Sequence, residues 1–266
     1  MGKIEDARRA LGPVGVALPV SFTTTPSIDE QRAAVVRLER AGYRAVWSNE
    51  VIGGKDTLVQ LALLLDATER TVFGTCIANI WAREPETAHA AAAMLAQAHP
   101  GRLVLGLGVG YPAQAESVGR EFGSPLTRMR DYVARMDGDT WPPAADAEYP
   151  RILAANGPKM LALAGEIADG ALPAIVPPEQ TALARQTLGP AKLVVVGVSV
   201  IIDPDPGQAK ATARQRVTDM LGNPSYAATV SRLGYAAEAD DRLVDALFAH
   251  SGPESVVAKV REHLAA

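Results

Sequence analysis

Four apolar runs begin near Val14, Tyr43, Val72 and Leu103, spaced 29, 29 and 31 residues apart, and a helical pattern fills each gap. That is the period of a repeated strand–helix unit. The runs VGVALPV, YRAVWS, VFGTCIANI and RLVLGLGVG are nearly continuous in apolar character rather than alternating, as expected of parallel strands covered on both faces. Further runs at Arg151 to Ala155, Ala171 to Val176 and Lys192 to Ile202 make seven strands. Right-handed crossovers between parallel strands leave two α/β architectures, a closed (β/α)8 TIM-type barrel or an open doubly wound sheet. The 266-residue length and the steady period favour the barrel. Gly106-Leu107-Gly108-Val109-Gly110 lacks the third glycine of a dinucleotide fingerprint and belongs to the fourth run, which counts against the open sheet. No eighth strand is evident after Ile202, where the pattern turns helical through Asp205 to Leu221, then polar and irregular, then helical again from Pro253 to Leu264. The expected fold is therefore a single-domain (β/α)8 barrel over residues 1–266, incomplete unless an unrecognised segment closes it.

The helices carry their own signals. Ser27-Ile28-Asp29-Glu30 is a capping box, with Ile28, Val35 and Leu38 on one face behind it and Gly42 as the stop. Similar patterns run over Thr57 to Thr68, Glu86 to Ala98, Leu126 to Met136, Lys159 to Ile167 and Glu179 to Leu188. Asp137 to Pro150, acidic and with three prolines, reads as an exposed connection.

Composition narrows the function classes. A formal net charge of −4 leaves no global basic footprint for nucleic acid. The strongly apolar run Leu193 to Ile202 is half the length a membrane span needs, and Met1 to Ala10 lacks the apolar core of a signal peptide. One cysteine, Cys76, cannot form an internal disulfide, so a cytoplasmic setting is expected. No His, Cys or carboxylate cluster has metal-ligand spacing, and none of the four histidines lies where a barrel presents its chemistry.

In parallel α/β proteins ligands gather at the C-terminal strand ends. Here these ends are Pro19-Val20-Ser21, Trp47-Ser48-Asn49-Glu50, Ala78-Asn79-Ile80-Trp81-Ala82-Arg83 and Gly108-Val109-Gly110-Tyr111. The fifth run, Arg151-Ile152-Leu153-Ala154-Ala155, turns through Asn156-Gly157 into a helix opened by Pro158, Lys159 and Met160. Pro158 suits the first helical turn, Gly157 admits a close ligand, and the free N–H groups with Lys159 suit a phosphate. An ordinary strand-to-helix turn with a solvated lysine is the alternative.

Taken together these motifs resemble the bacterial-luciferase-like flavin barrels, and within them the branch using the deazaflavin coenzyme F420. The pieces that carry the resemblance are Phe73 to Ile80 with Arg83 and Pro85, Leu105 to Gly110, Pro125 with Met129-Arg130-Asp131-Tyr132, and Leu153 to Met160 continuing to Ala168-Asp169-Gly170. The resemblance implies an F420-dependent oxidoreductase that exchanges a hydride with a small organic substrate. An FMN-dependent monooxygenase and a shortened, non-catalytic flavin-binding barrel are the alternatives. It implies a non-proline cis peptide at Cys76-Ile77, a cofactor ring held by Cys76, Ile77, Ala78, Asn79, Gly108 and Gly110, and a phosphate grip at Asn156, Gly157, Pro158, Lys159 and Met160. Glu50 stands where some relatives place a proton-carrying group, so it is the catalytic candidate; its other reading is structural, as a solvated loop glutamate or a partner for Arg83. Tyr111 departs from the relatives' pattern. Relatives commonly dimerise, so a homodimer is expected.

Overall fold

A computed structural model describes residues 2–18 and 25–266. The expected end of the first strand, Pro19-Val20-Ser21, lies outside the described residues. In chain order the elements are α1 (Lys3–Leu11), β1 (Val16–Ala17), α2 (Ile28–Arg40), β2 (Ala45–Ser48), α3 (Thr57–Asp66), β3 (Val72–Thr75), β4 (Ala78–Asn79), α4 (Pro85–Ala98), β5 (Leu103–Gly108), α5 (Pro112–Glu116) and α6 (Pro125–Met136). They continue with β6 (Arg151–Ala154), α7 (Pro158–Ile167), β7 (Gly170–Leu172), α8 (Pro178–Leu188), β8 (Leu193–Val194), β9 (Ser199–Val200), α9 (Pro206–Leu221), α10 (Pro224–Arg232), α11 (Asp241–Leu247), β10 (Phe248–Ala249) and α12 (Pro253–Ala265). Hydrogen bonding runs in the order β1-β2-β3-β5-β6-β7-β8, with β4 paired on β5. The alternation read from the apolar runs is thus the observed one, and the Asp137–Pro150 connection contains no helix or strand.

By contacts the chain forms two compact units, the first holding the residues up to Ala154 with Leu163–Gly170 and Ala191–Leu193, the second holding Ala155–Ala162, Ala171–Pro190 and Val194–Ala266. In the first unit the strands pair in parallel, with Val46 opposite Phe73 and Gly106 opposite Ile152. Phe73, Leu105, Leu107, Ile152 and Leu153 are wholly buried, as are Leu61, Leu64 and Leu65 of α3, so apolar burial on both sheet faces is the main stabilising term. The α2 capping box forms as expected: Glu30 N–H donates to Ser27 Oγ, and Ser27 N–H donates to Glu30 Oε2 at 2.8 Å.

Gly106 answers to its neighbours rather than to flexibility. A Cβ there would stand 2.1 Å from the Thr75 carbonyl oxygen. The Thr75 hydroxyl occupies the junction, donating to Gly106 O at 2.7 Å and accepting from Gly106 N–H at 2.8 Å. A side chain at Gly106 would therefore push β3 and β5 apart just below the strand ends.

The second unit differs from expectation in three places. The run Lys192 to Ile202 is not one strand: it is interrupted between Val194 and Ser199 and serves two partners, because β9 leaves the main sheet to pair with β10. β10 is the strand not evident in the sequence, only Phe248–Ala249, parallel to β9. The polar stretch before it folds as α10 and α11, whose Val230, Leu243, Val244 and Leu247 pack with Ala213 and Val217 of α9.

Candidate active site

The loop from β2 to α3 and the turn after β3 meet at one carboxylate. Glu50 is 5% exposed. Its Oε1 accepts from Thr57 N–H at 3.2 Å and from Arg83 Nη2 at 2.6 Å, and its Oε2 accepts from Asn79 N–H at 2.7 Å. One side chain thereby fixes the first residue of α3, the end of β4 and the guanidinium before α4. Arg83 also pairs with Asp56, the N-cap of α3, whose Oδ1 accepts from Val59 N–H. Burial works against the charge on Arg83, but the Glu50 and Asp56 carboxylates override it and hold its pKa above the ordinary value. Of the two readings of Glu50, the pairing with Arg83 is the one the geometry displays. Asp56 is the partner that sequence reading passed over; an Asp directly before the apolar helix Thr57-Leu58-Val59 was its signal.

Beside this carboxylate the Cys76–Ile77 peptide is cis, as the resemblance implies. Cys76 N–H donates to Ser48 O at 2.7 Å, and Ile80 N–H donates to Gly108 O, so the segment between β3 and β4 is tied to strands on either side. Ile77 packs onto Gly108, where a Cβ would meet Ile77 Cγ1 at 2.7 Å. The Cys76 thiol is pushed up to about 11 by burial, with the nearby Lys55 charge opposing, so it remains a thiol near neutrality. Asn79 is 2% exposed; its Oδ1 accepts from Trp81 N–H, while its Nδ2 is buried without a partner, in reach of the position a Cβ on Gly110 would take. Trp81 Nε1 donates to Val109 O at 2.8 Å, and its ring packs near Phe122. Tyr111 is 62% exposed at the start of α5.

In the second unit, the Asn156 side chain is committed to structure. Its Nδ2 donates to Ala174 O and its Oδ1 accepts from Ala174 N–H, each at 3.0 Å. Around Gly157 nothing stands within 4 Å of a built Cβ, and Lys159 is exposed at the start of α7. An anion at this turn would meet backbone N–H groups and the Lys159 ammonium, rather than the Asn156 amide.

Three of the four histidines are engaged elsewhere, His89 with Tyr149, His250 with Asp245 and His263 with Thr181, and His99 follows the last residue of α4. Among the described residues, no group of three His, Cys, Asp or Glu side chains could hold a metal ion. No described helix is long and apolar enough to cross a membrane.

Parallel strands in the order β1-β2-β3-β5-β6-β7-β8, with polar groups at the ends of β2, β4 and β5, define the class as a barrel-type α/β protein. The match of residues 13–266 to the luciferase-like monooxygenase family model shows that the chain belongs to that family, and the oxidoreductases among its relatives support an enzyme. It is 27% identical to a 5,10-methylenetetrahydromethanopterin reductase of Methanolobus tindarius over 76% of this chain and 71% of that protein. It is 31% identical to a putative coenzyme F420-dependent oxidoreductase of Mycobacterium tuberculosis over 58% of this chain, and spans 53% of that longer protein. An F420-dependent secondary alcohol dehydrogenase, solved with an F420–acetone adduct, shares the fold at a TM-score of 0.72 and 16% identity, with 94% of this chain and 89% of that one covered. The expectation of an incomplete α/β barrel of luciferase-like type agrees with these findings.

Proposed function

We propose that the chain is an F420-dependent oxidoreductase that exchanges a hydride between the deazaflavin and a small organic substrate. The observation that carries this reading is the buried Asn79 amide, whose Nδ2 lacks an acceptor beside the Cys76–Ile77 segment and the side-chain-free strand end at Gly108 and Gly110. A flat heterocycle with carbonyl oxygens on its edge fits those residues: Ile77, packed on Gly108, offers an apolar face, and Asn79 offers a donor. The cofactor, when bound, supplies the hydride chemistry. The chain supplies the rest. Cys76, Ile77, Ala78, Asn79, Gly108 and Gly110 form the surface for the ring, and Glu50 keeps Asn79 and Arg83 in place through the contacts given above. The hydrogen bonds at both Glu50 oxygens support the holding role over a proton-carrying one. Separately, the turn Asn156, Gly157, Pro158, Lys159 and Met160 of the second unit is proposed to hold phosphate, with Asn156 shaping it through Ala174.

A homodimer in a cytoplasmic setting completes the proposal, supported by the outward Val59, Leu63 and Met94 of α3 and α4, which are 61%, 37% and 66% exposed. Titration of the purified chain with F420, FMN and NADPH, followed by cofactor fluorescence, tests the cofactor. Saturable binding of F420, weakened in Lys159→Ala, is the expected result. Preference for FMN would move the chain to the monooxygenase reading, and binding of none would overturn the enzyme reading.

A further inference from the structure

Lys55 is a buried ammonium that the protein does not fully use. It lies in the β2–α3 loop, 9% exposed, and its one side-chain hydrogen bond among the described residues runs from Nζ to Asn49 Oδ1 at 2.6 Å. An ammonium carries three donors. Two are thus left without an acceptor in a place where water is largely excluded, which is costly unless something else supplies one. The charged and titratable groups that face it are Glu50 of its own loop and Cys76 of the segment between β3 and β4. Glu50 already accepts from Thr57, Asn79 and Arg83 and pairs its charge with Arg83, and Cys76 is a protonated thiol near neutrality; among the described residues the ammonium hydrogen-bonds to neither. Two residues whose backbone N–H groups bond Glu50 also hold buried side-chain atoms without a partner: Asn79 Nδ2, a donor, and the Thr57 hydroxyl, which can donate or accept. The surroundings of Glu50 therefore hold a surplus of donors over acceptors. A ligand that settles there must bring acceptors, and one of them should tolerate or carry negative charge.

Resting on the proposed function, we infer that Lys55 is the positioning residue that donates to a carbonyl or anionic oxygen of the ligand bound beside the Cys76–Ile77 segment. That oxygen belongs either to the edge of the cofactor ring or to an organic substrate of carbonyl class. The ammonium attracts whichever oxygen gains electron density and fixes the ligand's orientation from the Asn49 side.

Two variants and two binding arms test the inference. Lys55→Met removes the charge and the donors while keeping an unbranched apolar stem; Lys55→Arg keeps both. Thermal unfolding of each variant is recorded to show that it is folded. In the first arm F420 is titrated into the free chain and fluorescence is read. In the second, acetone is titrated into the chain loaded with F420, and the cofactor's absorbance is read. Weakening of F420 binding by about tenfold or more in Lys55→Met, with recovery in Lys55→Arg, assigns the oxygen to the ring. Unchanged F420 binding with acetone saturation lost only in Lys55→Met assigns it to the substrate. In either case wild-type binding weakens on the alkaline side as the ammonium, its pKa lowered by burial, loses its proton, whereas Lys55→Arg stays flat, a contrast that a merely structural lysine would not produce. If both arms agree within twofold between folded Lys55→Met and wild type, the inference is overturned while the proposed function stands. If the wild type binds FMN and not F420, the cofactor assignment fails and the same comparison with FMN decides the role of Lys55. If it binds neither, both fail.

Discussion

Replacing Glu50 with glutamine tests whether that carboxylate holds the site together. The change keeps the shape and removes one acceptor and the charge. In the native site three donors converge on two oxygens, at 2.6, 2.7 and 3.2 Å. Glutamine offers one oxygen and an NH2 group, so either Asn79 N–H or the Thr57 and Arg83 pair must face a donor. Removing one partner of a buried ion pair costs about 3–5 kcal/mol. Arg83 retains Asp56, whose side chain is 47% exposed, so the low end, about 3 kcal/mol, is expected. For a chain of this size that lowers the unfolding temperature by roughly 6–12 °C. Trp47 and Trp81 are both buried in the unit that contains Glu50, so intrinsic fluorescence reports its unfolding. Arg83→Met should cost less than Glu50→Gln, because it leaves a carboxylate with two N–H donors, and the double variant should cost less than the sum. A Glu50→Gln loss below about 1 kcal/mol would refute the reasoning. It would mean that Glu50 is not pinned and is free to serve as the proton carrier.

Three further outcomes follow from particular contacts. Burial raises the Glu39 carboxyl, but N–H groups of Arg70, Glu69 and Thr71 and the Thr71 hydroxyl outweigh it and hold its pKa down at about 2, against an ordinary 4.5. Because the folded value is the lower one, the stabilisation is present above about pH 4.5 and disappears as pH falls toward 2; Glu39→Gln should flatten the acid limb of a stability-versus-pH curve, and an unchanged limb would count against it. Gly106→Ala should cost about 2 kcal/mol or more in chemical denaturation, since its Cβ would meet the Thr75 carbonyl, whereas Gly157→Ala, with nothing within 4 Å, should be nearly neutral; equal effects would refute the close-approach argument. Cys76, half-buried and with its thiol pushed up to about 11 by desolvation, should react with iodoacetamide at pH 7.5 at least about tenfold more slowly than free cysteine, and fast alkylation would contradict the raised pKa.

The alternation of elements was legible because each strand run is apolar on both faces and each helix is signalled by an amphipathic face, with a cap or a stop at several ends. Such cues are local, and the structure places elements within a residue or two of them at α2, α4, α6 and α12. What was hidden depends on partners distant in sequence. β10 is two residues long, too short for any periodicity, and exists because Phe248 and Ala249 align with Ser199 and Val200. The same pairing divides the run Lys192 to Ile202, which no inspection of that run alone could show. The candidate site divides in the same way. Its residue types stood out at the strand ends, but their roles are set by competition for acceptors: Glu50 is claimed by Thr57, Asn79 and Arg83, Asn156 by Ala174, and the Lys55 ammonium, among the described residues, by Asn49 only. The most eye-catching carboxylate and amide in the sequence are thus occupied in building the site, and the groups left with unused donors, Lys55 and the Asn79 amide, are where a ligand has most to offer.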